Sequence, residues 1–173
     1  MHYGEIKNCD IANGRGVRIS LFVSGCRNHC PNCFNQVTWD FNYGKEYTAE
    51  TEAKILKMLE PTYIQGLTIL GGEPMEIENQ PGVLELIKKV KETYPSKSIW
   101  IYTGFTLDEL YDPKCRACSP YVTEILKYLD CLVDGRFVEA LKDITLHFRG
   151  SSNQRLINVQ ETLKQKKIVE YDY

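Results

Sequence analysis

VRISLFVSGCRNHCPNC, residues 17 to 33, runs a strand into a loop with three cysteines in eight positions. Its first nine residues are rich in β-branched and aromatic side chains and stop at Gly25, the pattern of a strand ending on a turn. Cys26, Cys30 and Cys33 then follow as C-x3-C-x2-C, with no fourth cysteine close behind.

Outward from this stretch, short β-rich runs alternate with amphipathic helices. TAETEAKILKMLEP (48–61) reads as a helix, with Thr48 as N-cap, Glu50 and Glu52 in the first turn and Pro61 as its stop. LTILGG (67–72) is an apolar run closed by glycines, as expected of a buried parallel strand. QPGVLELIKKVKETYP (80–95) opens with Pro81 and places Val83, Leu84, Leu86, Ile87 and Val90 on one helical face. SIWIYTG (98–104) reads as a third strand and TLDE (106–109) as a capping box. SPYVTEILKYL (119–129) reads as a further helix and CLVDG (131–135) as a fourth strand. RLINV (155–159) is a candidate for a fifth.

This alternation implies right-handed βαβ units and a mainly parallel sheet. Four or five units are too few for a closed eight-unit barrel. The expected fold is therefore α/β, an open partial (βα) barrel with outer helices. Chemistry in such folds sits at the C-terminal ends of the strands. Those ends carry GCRNHCPNC, GGEP, YTGF and DGRF, so the four motifs are expected on one rim. No internal repeat, low-complexity tract or long linker divides the chain, and residues 1–173 are expected to form one domain.

A net charge of −2 supplies no electrostatic footprint for nucleic acid or an anionic membrane surface. The N-terminal MHYGEIKNCDIANGRG has no signal-like apolar run, and no 18 consecutive apolar residues occur. A cytoplasmic protein is expected. In that reducing compartment seven cysteines point to metal or redox chemistry rather than a disulfide framework.

Two metal chemistries compete for the cysteine loop. Structural zinc takes four ligands, commonly as C-x2-C pairs far apart in sequence. His29 or the remote Cys115 and Cys118 would have to complete such a set, and the C-x3-C half is not the usual zinc spacing. A 4Fe–4S cluster on three thiolates leaves its fourth iron without a protein ligand, open to a small molecule. Cys115 and Cys118, with Cys9 and Cys131, would make a second metal site on paper, but are expected to remain reduced thiols. Asn13-Gly-Arg-Gly16 precedes a strand and opens no helix, so it reads as a tight turn and not as a phosphate loop.

C-x3-C-x2-C after a first strand, with Gly-Gly-Glu-Pro after the second, resembles the radical S-adenosylmethionine superfamily. The wider set DIANGRGVR (10–18), LFVSGCRNHCPNCFNQVTW (21–39), LGGEP (70–74), IWIYTGFTLDEL (99–110), LVDGRFVEALKD (132–143) and FRGSSNQR (148–155) resembles the activating proteins of anaerobic (class III) ribonucleoside-triphosphate reductases. The resemblance implies one 4Fe–4S cluster on Cys26, Cys30 and Cys33, with S-adenosylmethionine chelating the open iron. It further implies that Gly71, Gly72 and Glu73 meet the methionine amino group, and that Asn32, Cys33 and Phe34 flank the adenine. Core packing is the competing reading of Phe34. Thr103 would lie near the ribose and Asp134 and Arg136 near the cofactor, a surface ion pair being the alternative for Arg136. Ser152, Asn153 and Arg155 match a Ser-Asn-x-Arg element of cofactor contact or protein docking.

The implied activity is reductive cleavage of S-adenosylmethionine and abstraction of a hydrogen atom from a glycine of the partner reductase. No acid–base constellation is evident, and none is required for that chemistry. The electron would come from an external donor such as flavodoxin. Activation of another glycyl-radical enzyme, such as pyruvate formate-lyase, stays open at this stage. So does a zinc-stabilised interaction module without catalysis.

Overall fold

Two strands that no apolar run marks begin the sheet. They are β1 (His2–Asp10) and the two-residue β3 (Lys45–Glu46). The others are β2 (Val17–Val23), β4 (Ile64–Gly71), β5 (Ser98–Tyr102), β6 (Cys131–Asp134) and β7 (Arg155–Asn158). The helices are α1 (Ala49–Leu59), α2 (Gln80–Thr93), α3 (Leu107–Tyr111), α4 (Pro120–Tyr128) and α5 (Val159–Gln165). The computed structural model describes residues 1–172; Tyr173, the last residue of the expected 1–173 domain, lies outside the described residues.

The sheet is seven-stranded and open, in the order β3-β1-β2-β4-β5-β6-β7. Only β2, β4, β5 and β6 run parallel to one another. β1 is antiparallel to both β2 and β3, and β7 is antiparallel to β6. This corrects the expected mainly parallel, partial (βα) barrel: the fold is a small α/β protein on a mixed sheet. The reason is local. Asp10 to Val17 is a short turn that reverses the chain from β1 to β2, and residues 135–154 return to β7 with no crossover α-helix. A parallel pairing needs such a crossover. Antiparallel strands therefore flank the parallel strands on both sides.

Local signals match the elements they predict. The Thr48 hydroxyl accepts from Thr51 N and the Thr106 hydroxyl from Glu109 N, each within a reciprocal capping box. Ser119 caps α4 ahead of Pro120. Alternation along the strands divides the apolar residues between two faces. Ile99, Ile101, Leu132 and Ile157 join the helix residues Ile55, Leu59, Leu86, Ile87 and Ile125 in the main core. Trp100, Cys131, Val133 and Leu156 form a smaller cluster on the opposite face, against Tyr102, Phe148 and Tyr171.

Arg18 is fully buried on that second face, 5.3 Å from the centre of the Trp100 ring. Thr68 and Ser98 side chains and three backbone carbonyls take up its donors, so the charge is neutralised by dipoles rather than by a carboxylate. Burial lowers its pKa to about 10. Among the described residues no helix is long and apolar enough to cross a membrane.

Candidate functional site

The four parallel strands end at one place. Ser24 and the cysteine loop follow β2, Gly71 to Glu73 close β4, Thr103 and Gly104 follow β5, and Gly135 and Phe137 follow β6. A cavity of about 190 Å³ is lined by Cys26, Cys30 and Cys33 together with residues from all of these ends. A second cavity, of about 560 Å³, adjoins it and shares Cys30, Cys33, Phe34, Leu70, Tyr102, Phe137 and Gln154.

Backbone hydrogen bonds close the cysteine loop at its base and tie that base to the end of β4. Gly25 N donates to Thr38 O at 2.7 Å, Gly72 N to Val23 O at 2.7 Å, and Glu73 N to Gly25 O at 2.8 Å. A Cβ at position 72 would stand 2.8 Å from Gly25 O and 3.0 Å from Thr38 O. Gly72 is therefore required for the loop to lie this close. Gly71 has φ +107, a conformation that disfavours a side chain.

Within the loop, Cys26 is buried and Cys30 and Cys33 are partly exposed; Cys33 N donates to Cys30 O at 3.1 Å. Burial pushes the Cys26 thiol up to about 11 and also raises Cys30. Binding of a metal to these sulfurs must therefore displace protons. His29 and Asn32 both adopt left-handed backbone, at φ 44 and 59. The His29 ring stacks on Trp39, with centroids 4.3 Å apart.

Among the described residues no group of three or more His, Cys, Asp or Glu side chains is already gathered as a metal-ion site. A cubane presents its irons at separate corners, so its thiolates stand apart around a cavity. Three free thiols on the wall of one cavity fit that group. Cys115, Cys118, Cys9 and Cys131 do not assemble: Cys9 is exposed, Cys131 is fully buried on the second face, and Cys115 packs against the main core.

Glu73 lines the first cavity, but its carboxylate is fully engaged. Oε1 accepts from Met75 N at 2.9 Å and Thr103 Oγ1 at 2.7 Å, while Oε2 accepts from Gly104 N at 2.7 Å and Asn28 Nδ2 at 2.9 Å. Burial pushes its pKa up to about 7, opposed by the donors from Met75, Thr103 and Gly104. The arrangement of donors suits the ionised form. Glu73 thus ties the cysteine loop to the end of β5.

Phe34 is 97% exposed at the mouth of both cavities, which removes the core-packing alternative. Asn32 lines only the second cavity. Asp134 and Arg136 are not among the residues lining either cavity. Asp134 is buried and accepts from Leu107 N at 2.7 Å and Arg155 Nε at 2.9 Å. Arg136 pairs with Glu109 at 3.0 Å and lies over the Phe105 ring.

The RGSSNQR segment organises the loop after β6. Asn153 Nδ2 donates to Arg136 O at 2.8 Å and Gln154 Nε2 to Gly135 O at 2.9 Å. Sequence reasoning did not single out Gln154 or Phe137, which line both cavities, although both lie inside motifs it quoted. It also missed Asn28, Glu76 and Arg116. Asn28 could have been noticed as a polar residue between two cysteines. For Arg116 no sequence signal exists.

Comparison with known proteins gives the family. The family model for a 4Fe-4S single cluster domain matches residues 12–157. The chain is 42% identical over 156 residues to an anaerobic ribonucleoside-triphosphate reductase-activating protein of Salmonella typhi, covering 89% of this chain and 96% of that protein. A protein of the same name from Vibrio cholerae serotype O1 is 43% identical over the same shares. One from Enterobacteria phage T4 is 37% identical, over 90% of this chain and 93% of its own length. With a cysteine-lined cavity at the strand ends and relatives matched nearly end to end, the chain belongs to the family of anaerobic ribonucleoside-triphosphate reductase-activating proteins and carries that family's 4Fe-4S domain.

Proposed function

We propose that this chain, acting as one activase domain over residues 1–173, generates the glycyl radical of an anaerobic ribonucleoside-triphosphate reductase, as a radical S-adenosylmethionine oxidoreductase of the cytoplasm. The observation that carries the reading is the convergence of Cys26, Cys30 and Cys33 on one cavity that glycine-rich strand ends also line. Those three thiols would hold a 4Fe–4S cluster and leave one iron for S-adenosylmethionine. Once bound, cluster and cofactor supply one-electron cleavage of the sulfonium and abstraction of a hydrogen atom from the reductase glycine. The electron would come from an external donor, with flavodoxin as the candidate.

The chain's own residues position and exclude. Gly71 and Gly72 keep backbone in place of side chains at the cavity edge. Glu73, already saturated by protein donors, holds rigid the strand end that would meet the methionine amino group. Phe34 offers an exposed aromatic face to the adenine beside Asn32 and Cys33. Thr103 fixes the β5 end near the ribose. Asp134 and Arg136 would act from behind the cavity, by anchoring the β6 loop that carries Phe137. Pyruvate formate-lyase activation is the alternative within the same chemistry, and the full-length match to reductase activators disfavours it.

The direct test is anaerobic reconstitution of wild type and Cys30→Ala, followed by iron and sulfide analysis and measurement of 5′-deoxyadenosine. Wild type should be brown, take up four irons per chain by the chemistry of the cluster and form the product. Cys30→Ala should do neither, and retention of both would refute the assignment.

A further inference from the structure

Cys115-Arg-Ala-Cys118 joins α3 to α4 and plays no part in the chemistry above, yet its arginine reaches the cysteine loop. Arg116 Nη2 donates to Asn28 Oδ1 at 2.7 Å and to Glu76 Oε1 at 3.0 Å. Its Nε stands 3.3 Å from both Glu76 oxygens, and the guanidinium lies 4.6 Å from the Phe105 ring centre. Glu76 is fully buried and also accepts from Arg27 N at 2.9 Å and Arg27 Nη1 at 3.0 Å. Asn28 passes the contact inward, donating to Glu73 Oε2 at 2.9 Å.

One guanidinium therefore grips the arm between Cys26 and Cys30 at two successive residues, Asn28 directly and Arg27 through Glu76. The arm needs such support. His29, next in sequence, sits at φ 44, a left-handed backbone conformation that is unfavourable for a non-glycine residue. A strained conformation persists only when its surroundings over-determine it. The contact is also specific to the shape of arginine, because a planar fork serves a carboxylate and an amide oxygen together where an ammonium is a single point.

We propose that Arg116 is a positioning residue for the cluster: it holds the Cys26–Cys30 arm in the receptive conformation and so governs how readily the loop takes up iron and sulfide and how the assembled centre is tuned. The proposal rests on the reading of the loop as a cluster site. It gives the short C-x2-C stretch a role through the residue between its cysteines, with no second metal.

The test uses the full chain as wild type, Arg116→Leu, Arg116→Lys, Asn28→Ala and the Arg116→Leu/Asn28→Ala double variant, with Lys127→Ala as an exposed control. Each is reconstituted anaerobically with ferrous iron and sulfide. Uptake is followed by visible absorbance, and the reduction potential and EPR g-values are read on the fully loaded fraction. Uptake should slow about tenfold in Arg116→Leu, the low end of what lost support around metal ligands costs in affinity or activity, with shifted g-values and potential. Arg116→Lys, which keeps charge beside Glu76 should Leu fail to fold, should recover only part of the rate. The double variant should be no slower than the worse single one, because the two residues form one chain of contacts.

Wild-type uptake and spectra in Arg116→Leu would overturn the proposal, as would complete rescue by Lys or strictly additive effects with Asn28→Ala. Failure of wild type itself to take up a cluster would instead overturn the functional reading, so the two failures are distinct.

Discussion

Arg155 Nε donates to Asp134 Oδ1 at 2.9 Å, and the two residues face each other in register across the antiparallel β6–β7 pair. The Asp134 side chain is 1% exposed and that of Arg155 32%, so a buried carboxylate is held by a cation that still reaches solvent. Asp134 also accepts from Leu107 N at the start of α3. One side chain thereby joins the last parallel strand, the antiparallel strand beside it and the helix that follows β5.

Arg155→Ala should accordingly act on stability before it acts on chemistry. It leaves Asp134 buried with a single backbone donor, for which a loss of about 2–4 kcal/mol is expected, somewhat under the fully buried range because Arg155 is partly exposed. Urea unfolding of the apo chain measures this. A change within about 0.5 kcal/mol would show that the pair is only a surface contact.

Phe34 should behave in the opposite way. A side chain left almost wholly in solvent contributes little to the fold, so Phe34→Ala should unfold within about 0.5 kcal/mol of wild type. If the ring meets the adenine, equilibrium binding of S-adenosylmethionine to the cluster-loaded chain should weaken about 3- to 10-fold. A destabilised variant with unchanged binding would contradict the assignment.

Glu73→Gln sets an amide against four donors. At least one of the Met75, Thr103, Gly104 and Asn28 contacts must become donor against donor, at about 1–3 kcal/mol for the group left unsatisfied. Thermal or urea unfolding should register that loss. Retention of wild-type stability would mean that the carboxylate is already protonated in the fold.

Asp10 provides the pH signature. Burial pulls its pKa up, but hydrogen bonds from Ser20, Asn13 and Ala12 outweigh it and hold the pKa below the usual 3.8. A lowered folded-state pKa stabilises above the unfolded value and is lost as pH falls through the folded one. Wild type should exceed Asp10→Asn by about 1–2 kcal/mol near neutrality, and the gap should close only as pH drops below 3.8. A gap that does not change with pH would show that the carboxylate charge is not what holds the turn.

What could be read in the sequence follows from how each element is encoded. β2, β4, β5 and β6 are apolar runs ending in glycine or polar turns, and α1, α3 and α4 begin with capping side chains, so all were legible. β1 was not: its residues are mostly exposed or half-exposed, and HYGEIKNCD has no apolar stripe to mark a strand. The direction of β7 was hidden as well, because RLINV looks the same whether a crossover helix or an irregular loop precedes it. Missing both antiparallel flanks turned a mixed sheet into an expected partial barrel.

At the site, the cysteine spacing and Gly-Gly-Glu are local patterns, and the fold brings them to one cavity. The bridge from Arg116 to Asn28 and Glu76 spans three distant segments and depends on tertiary placement alone. Asp134 and Arg136 show the converse. Their spacing was visible, but only the structure reveals that Arg155 and Glu109 occupy their charged groups.

The measurement that bears most directly on the central claim is EPR of the anaerobically reconstituted, reduced protein mixed with S-adenosylmethionine and its cognate anaerobic reductase. The account predicts a glycyl doublet on the reductase that requires all three components and vanishes with Cys30→Ala. A doublet that forms without S-adenosylmethionine, or that survives Cys30→Ala, would contradict it. So would the absence of any doublet from a fully loaded wild-type chain.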